Sequence, residues 1–148
     1  MMRGYKYILI IFISIFCGSQ LMAQSGLSEL TIIGNKTGFE STSLKEVRQM
    51  FRGKYSSWPA TQITVTIVLP APQSPNASKM ASQIYSNTIS GVQKYWLSLV
   101  FQGRANPPVF LETDEQIIDF VRKTPGAIGI ISSGNPNTPK NLVINIVN

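Results

Sequence analysis

Apolar and polar positions along the chain fall into short blocks that alternate between the period of a strand and that of a helix. Leu30 to Gly34 (LTIIG) is a β-branched run closed by the turn-forming pair Gly34-Asn35, which predicts a buried first strand. Ser43-Leu44-Lys45-Glu46 has the form of a capping box, and Leu44, Val47 and Phe51 then recur at helical spacing as far as Gly53. That spacing predicts a helix that turns Lys45, Arg48 and Gln49 to water. From Gln62 to Leu69, Ile63, Val65, Ile67 and Leu69 alternate with Gln62, Thr64, Thr66 and Val68, the clearest strand pattern in the sequence. Pro70, Pro72 and Pro75 then force a loop. Helical faces follow from about Ser78 to Asn87 (Met80, Ala81, Ile84, Tyr85) and from about Val92 (Tyr95, Trp96, Leu99, Val100). Thr113 to Gln116 is a second capping box with acids in its first turn, ahead of Ile117, Ile118, Phe120 and Val121; that helix ends before Pro125-Gly126. Ala127 to Ser132 (AIGIIS) is a strand in which Gly129 implies a close approach, and Asn141 to Val147 is a last one, after a turn over Gly134 to Pro139. The order β-α-β-α-α-α-β-β predicts one α/β domain, a mixed sheet flanked by helices.

The N-terminal block is of another kind. Arg3 and Lys6 precede a mostly apolar run, Tyr7 to Phe16, which fits the core of a signal peptide and falls well short of the roughly 20 residues that span a membrane. Leu21-Met22-Ala23-Gln24 offers a small residue at the cut. Residues 1–23 are therefore read as a signal peptide and 24–148 as the domain, periplasmic or secreted, with no membrane span left after cleavage. A lipid anchor at Cys17 is the rival reading; Phe16 stands before it, where lipoprotein signals carry a small residue.

Cleavage removes the only cysteine and two of the 13 basic residues, leaving 11 Lys and Arg against 7 Asp and Glu. The cations form no run longer than two, which gives nucleic-acid binding little support; a basic excess does steer anionic ligands or partners. There is no histidine. Without histidine or cysteine, the usual zinc and copper ligand sets, the Ser-His-Asp triad, the Cys-His dyad and disulfides are excluded, so no metal, cofactor or catalytic residue is assigned. Stability then rests on packing, with Phe51, Trp58, Trp96 and Phe101 expected in the core.

Several short signatures fall in a shared order: Leu44-Lys45-Glu46-Val47-Arg48-Gln49-Met50-Phe51-Arg52-Gly53-Lys54 with Trp58, Tyr95-Trp96, Phe101-Gln102-Gly103, Pro107-Pro108, and Pro125-Gly126-Ala127-Ile128-Gly129. In that order the chain resembles the phosphate-binding-protein-like domains of the type 2 periplasmic binding superfamily, and among them the short members related to substrate-binding proteins of phosphate ABC transporters. The resemblance implies a fold like a single lobe of a two-lobed binding protein, with a phosphate-like small anion as ligand and an ABC permease or another envelope protein as partner. In full-length relatives a strand leads into an Arg-x-x-x-Ser-Gly-Thr loop that opens a helix, where the guanidinium and free N–H groups face the anion. Here Pro70 falls at the arginine and Ser74-Pro75-Asn76 at Ser-Gly-Thr. The candidate ligand-binding residues are Ser74, Asn76, Ser78 and Lys79, with Asn35 and Thr37 after the first strand as a second candidate. Each also reads as an ordinary helix cap, turn or solvated residue. Three functions follow: a small-anion binder; an accessory or protein-interaction domain that kept the fold and lost the ligand site; and an enzyme, for which the carboxylates, lysines and hydroxyls are the only groups left.

Overall fold

The computed structural model describes residues 27–147. The expected signal segment 1–23, with Cys17 and the expected cut at Ala23, lies outside them. Six strands and four helices follow one another: β1 Leu30–Gly34, β2 Ser41–Ser43, α1 Leu44–Phe51, β3 Thr66–Pro70, α2 Ala77–Tyr85, α3 Ile89–Phe101, β4 Val109–Leu111, α4 Asp114–Lys123, β5 Ala127–Ser132 and β6 Asn145–Val147, with a short 3-10 turn at Lys140–Leu142. The main sheet has the order β1-β5-β3-β4. β5 runs antiparallel to β1 and parallel to β3, and β3 is parallel to β4. β2 and β6 make a separate parallel pair.

Alternation along the strands sorts the core into two layers. Ile32, Ile67, Leu69, Ile128 and Ile130 point to the face covered by α1, α2 and α3, where Phe51, Met50, Met80, Ile84, Trp58 and Trp96 pack. Ile33, Val68, Ala127 and Ile131 point to the other face, against Ile117, Ile118 and Val121 of α4. β5 is therefore buried on both sides, which is why AIGIIS reads as a continuous apolar run rather than an alternation. Gly129 sits on the α4 face; a Cβ there would lie 2.8 Å from a methyl of Ile117 and 3.1 Å from one of Val121, so α4 approaches this close only over glycine.

Trp58 is fully buried between Phe39 and Tyr55, at ring-centroid distances of 5.9 and 5.8 Å, and its indole N–H donates to the Gly126 carbonyl at 2.9 Å. Gly126 has φ +85°, and its N–H donates to the Asn35 carbonyl at 2.8 Å. This one turn fixes the start of β5 against the Trp58 loop and the end of β1.

Several expectations are revised. Two strands, Ser41–Ser43 and Val109–Leu111, carry too few residues to show a period. The strand foreseen at Gln62 begins at Thr66, because Ile63 to Val65 are bonded instead to the Ser56–Trp58 loop. The last strand foreseen at Asn141 is a 3-10 turn and then β6, which leaves the main sheet to pair with β2; Ile144 and Val143 touch the outer side of β1 on the way. Ser43 caps α1 as expected, but the Glu46 side chain turns to Lys54 and Tyr55 rather than back to the cap. Phe101, expected in the core, is 83% exposed.

Candidate functional site

β3, β4 and β5 are parallel, so their carboxyl ends come out together, the place where α/β sheets hold ligands. A cleft of about 210 Å³ opens there, lined by Pro70, Ser74, Asn76, Glu112, Asp114 and Ser132 among others. The proline loop after β3 is pinned by Ala71 N–H to the Leu111 carbonyl at 2.8 Å, and Ser74 Oγ donates to the Glu112 carbonyl at 2.8 Å. Asn76 precedes α2 and is buried, yet its side chain does not cap the helix. Instead its Nδ2 donates to Ser132 Oγ at 2.7 Å and to Asp114 Oδ1 at 3.2 Å.

Asp114 is the hub of this cleft. It opens α4 directly after the N-cap Thr113, inside the capping box that Thr113 closes with Gln116, so its carboxylate sits at the positive end of the helix. Its Oδ2 accepts from Ser132 N–H at 3.0 Å and from Asn135 Nδ2 at 3.4 Å, and Asn135 also reaches Glu115 Oε1 at 3.3 Å. Three acids, Glu112, Asp114 and Glu115, line the cleft, and among the described residues no Lys or Arg does. An oxyanion needs donors and positive charge. Here the carboxylate of Asp114 takes the donors that converge on this place.

The other sequence candidates are dispersed. Ser78 is exposed on the first turn of α2, and Lys79 pairs with Glu29. Asn35 and Thr37 follow β1, which is antiparallel to β5, so they lie at the opposite end of the sheet. Asn35 Nδ2 donates to the Val121 and Arg122 carbonyls at 2.9 and 3.0 Å, closing the end of α4. Thr37 is buried, and its Oγ1 accepts from Phe39 N–H at 3.2 Å. The structure thus joins Ser74 and Asn76 in one cleft and separates them from Asn35 and Thr37. Asp114, Ser132 and Asn135 were not singled out as site residues from the sequence. Their signal was positional: polar residues at or within three positions of the carboxyl ends of β4 and β5, which share the direction of β3.

A second, larger cleft of about 520 Å³ lies beside the N-terminal half of β3, walled by Trp96, Val100 and Arg104 of the α3 end and by Tyr55, Thr64 and Ile67. Tyr55 is fixed at its edge, donating to Glu46 Oε1 at 2.6 Å, while Lys54 Nζ reaches both oxygens of the same carboxylate. The Tyr55 hydroxyl first, and then Lys54, hold the Glu46 carboxyl below the usual glutamate range and favour its ionised form. Among the described residues no group of three or more His, Cys, Asp or Glu is placed to hold a metal ion, and no helix is long and apolar enough to cross a membrane.

No protein-family model matches the chain, and no curated protein does. Solved structures do. PstS from Borrelia burgdorferi is 13% identical with a TM-score of 0.56, over 80% of this chain and 47% of that one. A phosphate ABC transporter substrate-binding protein with bound phosphate from Clostridium perfringens is 14% identical with a TM-score of 0.51, over 80% and 44%. An ABC-type phosphate transport receptor from Vibrio cholerae is 14% identical with a TM-score of 0.50, over 78% and 45%. The chain spans less than half the length of each of these proteins. With its mixed sheet and flanking helices, it has the fold of a lobe of the phosphate-transport binding proteins.

Proposed function

We propose that this chain is an exported domain, cut near Ala23 and working in the periplasm or outside the cell, that uses a binding-protein lobe to bind a protein of the envelope rather than to hold phosphate. The observation that carries this is Asp114: it accepts from Asn76, Ser132 N–H and Asn135 in a cleft that, among the described residues, three acids and no cation line. Pro70 and Pro75 add to it, since neither has an N–H to offer an anion. A binding role without a reaction of its own is supported by the absence of histidine from the sequence and of cysteine beyond residue 17.

A second reading, binding of phosphate or another small anion with an ABC permease as partner, is favoured by the fold shared with a phosphate-bound protein. Ser74, Asn76, Ser78 and Lys79 are then the contacts. Isothermal titration of residues 24–148 with phosphate and sulfate decides between the two. The first reading expects no saturable heat up to about 1 mM ligand. Saturable heat that disappears in Asn76→Ala sinks it and installs the second.

A further inference from the structure

We infer that the cleft between the C-terminal end of α3 and the N-terminal half of β3 is a docking groove for a polypeptide segment in which acidic side chains alternate with apolar ones. This rests on the reading of the chain as a protein-binding domain and gives the partner its place and chemistry. From Val47 to Leu111 the sequence carries Arg48, Arg52, Lys54, Lys79, Lys94 and Arg104 and not one Asp or Glu. The fold turns that stretch into a pole: α1, α2 and α3 share one face of the sheet, whereas Asp114, Glu115 and Asp119 lie on α4 across it. Lys54 and Lys79 are neutralised by acids from outside the stretch, Glu46 and Glu29. Arg104 is not. Its guanidinium has a single contact among the described residues, 3.5 Å to Gln102 Oε1, and no carboxylate lines the groove it borders.

Beside Arg104, Phe101 is 83% exposed and Leu97, one turn earlier on α3, is 57% exposed, with Lys94 at the other end of the pair. Two large apolar side chains held out between cations make a patch of the kind that binds. The groove floor is polar. Thr66 N–H donates toward β5, to the Gly126 carbonyl at 3.1 Å. Successive residues of a strand point their amides to opposite sides, so Ile67 N–H faces the β4 side, and β4 pairs with β3 only from Val68 onward. A stretch of β3 that β4 does not pair, beside the hydroxyls of Thr64, Thr66 and Ser56, matches an extended peptide backbone, which has carbonyls to offer. A bilayer's acyl chains have none, and this favours a polypeptide over an anionic membrane.

The test is fluorescence polarisation of a labelled synthetic peptide alternating Phe and Asp, titrated with the purified protein at low salt. Saturable binding below about 1 mM is expected, weakened roughly tenfold or more by Arg104→Glu and by Phe101→Ser, and absent for the same peptide with Lys in place of Asp. Both substituted side chains are exposed, and circular dichroism checks that each variant keeps the fold. Failure to saturate, equal binding of the Lys peptide, or indifference to both substitutions overturns the inference. So does capture by phosphatidylglycerol vesicles, dependent on Arg104 and Phe101, with the peptide left unbound. Phosphate heat in the titration above would sink the proposed function while leaving a positive peptide result standing, so the two failures are distinct.

Discussion

Replacing Asp114 with alanine tests whether this carboxylate organises the strand-end cleft. The substitution leaves two of its three donors with other partners: Asn76 Nδ2 keeps Ser132 Oγ at 2.7 Å, and Asn135 Nδ2 keeps Glu115 Oε1 at 3.3 Å. Ser132 N–H, half-buried at the end of β5, loses its acceptor. An orphaned donor that had a charged acceptor, together with the loss of a first-turn acid on α4, costs about 2–4 kcal/mol. For a domain of this size that lowers Tm by about 8–16 °C. Asp114→Asn retains a carbonyl oxygen for Ser132 and loses only the charge, so about half that cost is expected. Calorimetry on the three proteins, each with and without phosphate, reads both effects. An alanine variant within about 0.5 kcal/mol of the parent, or no better tolerated as asparagine, would refute the hub role. If phosphate were found to stabilise Asp114→Ala and not the parent, the carboxylate would be the element that keeps the anion out.

Gly126→Ala places a Cβ against the Thr64 carbonyl at a φ of +85°, in the turn that carries the Trp58 bond; a loss of at least about 3 kcal/mol is expected by urea unfolding, and a loss under about 1 kcal/mol would contradict this geometry. For Glu46 the folded carboxyl titrates below its ordinary 4.5, so its contribution is present above that pH and is lost as pH falls further. The acid limb of the stability curve should therefore flatten in Glu46→Gln. It should also flatten in Tyr55→Phe, which removes the larger cause, and an unchanged limb in both would exclude this residue as a source.

The elements that the sequence made legible are those long enough to show a period or stopped by a chemical signal. The helix after Ser43 and the helix after Thr113 were visible through their caps, and Gly129 betrayed the close approach of α4. β2 and β4 left no trace, since a three-residue strand is defined by its partner rather than by its own pattern. Phe101 misled because an aromatic side chain argues for the core by its type alone; on α3 it falls on the exposed face with Lys94 and Leu97, away from the stripe of Val92, Trp96 and Leu99 that packs. In the strand-end cleft, Ser74 and Asn76 were visible as polar residues after a strand. Asp114 reads in the sequence as a first-turn acid of its helix, and its second role depends on β5 lying beside β3, a parallel pairing that no local pattern encodes.

That pairing also sets the order in which the molecule comes into being. β5 separates β1 from β3, so these two strands have nothing to bond to each other when they leave the ribosome or a translocation channel. The sheet closes only after Ser132 has emerged, nearly 100 residues behind the end of β1. Until then Ile128 and Ile130 are missing from the floor between β1 and β3, and part of the apolar faces of α1, α2 and α3 stays open. The core is therefore completed late, and a chain that stalls before β5 keeps apolar surface open to solvent.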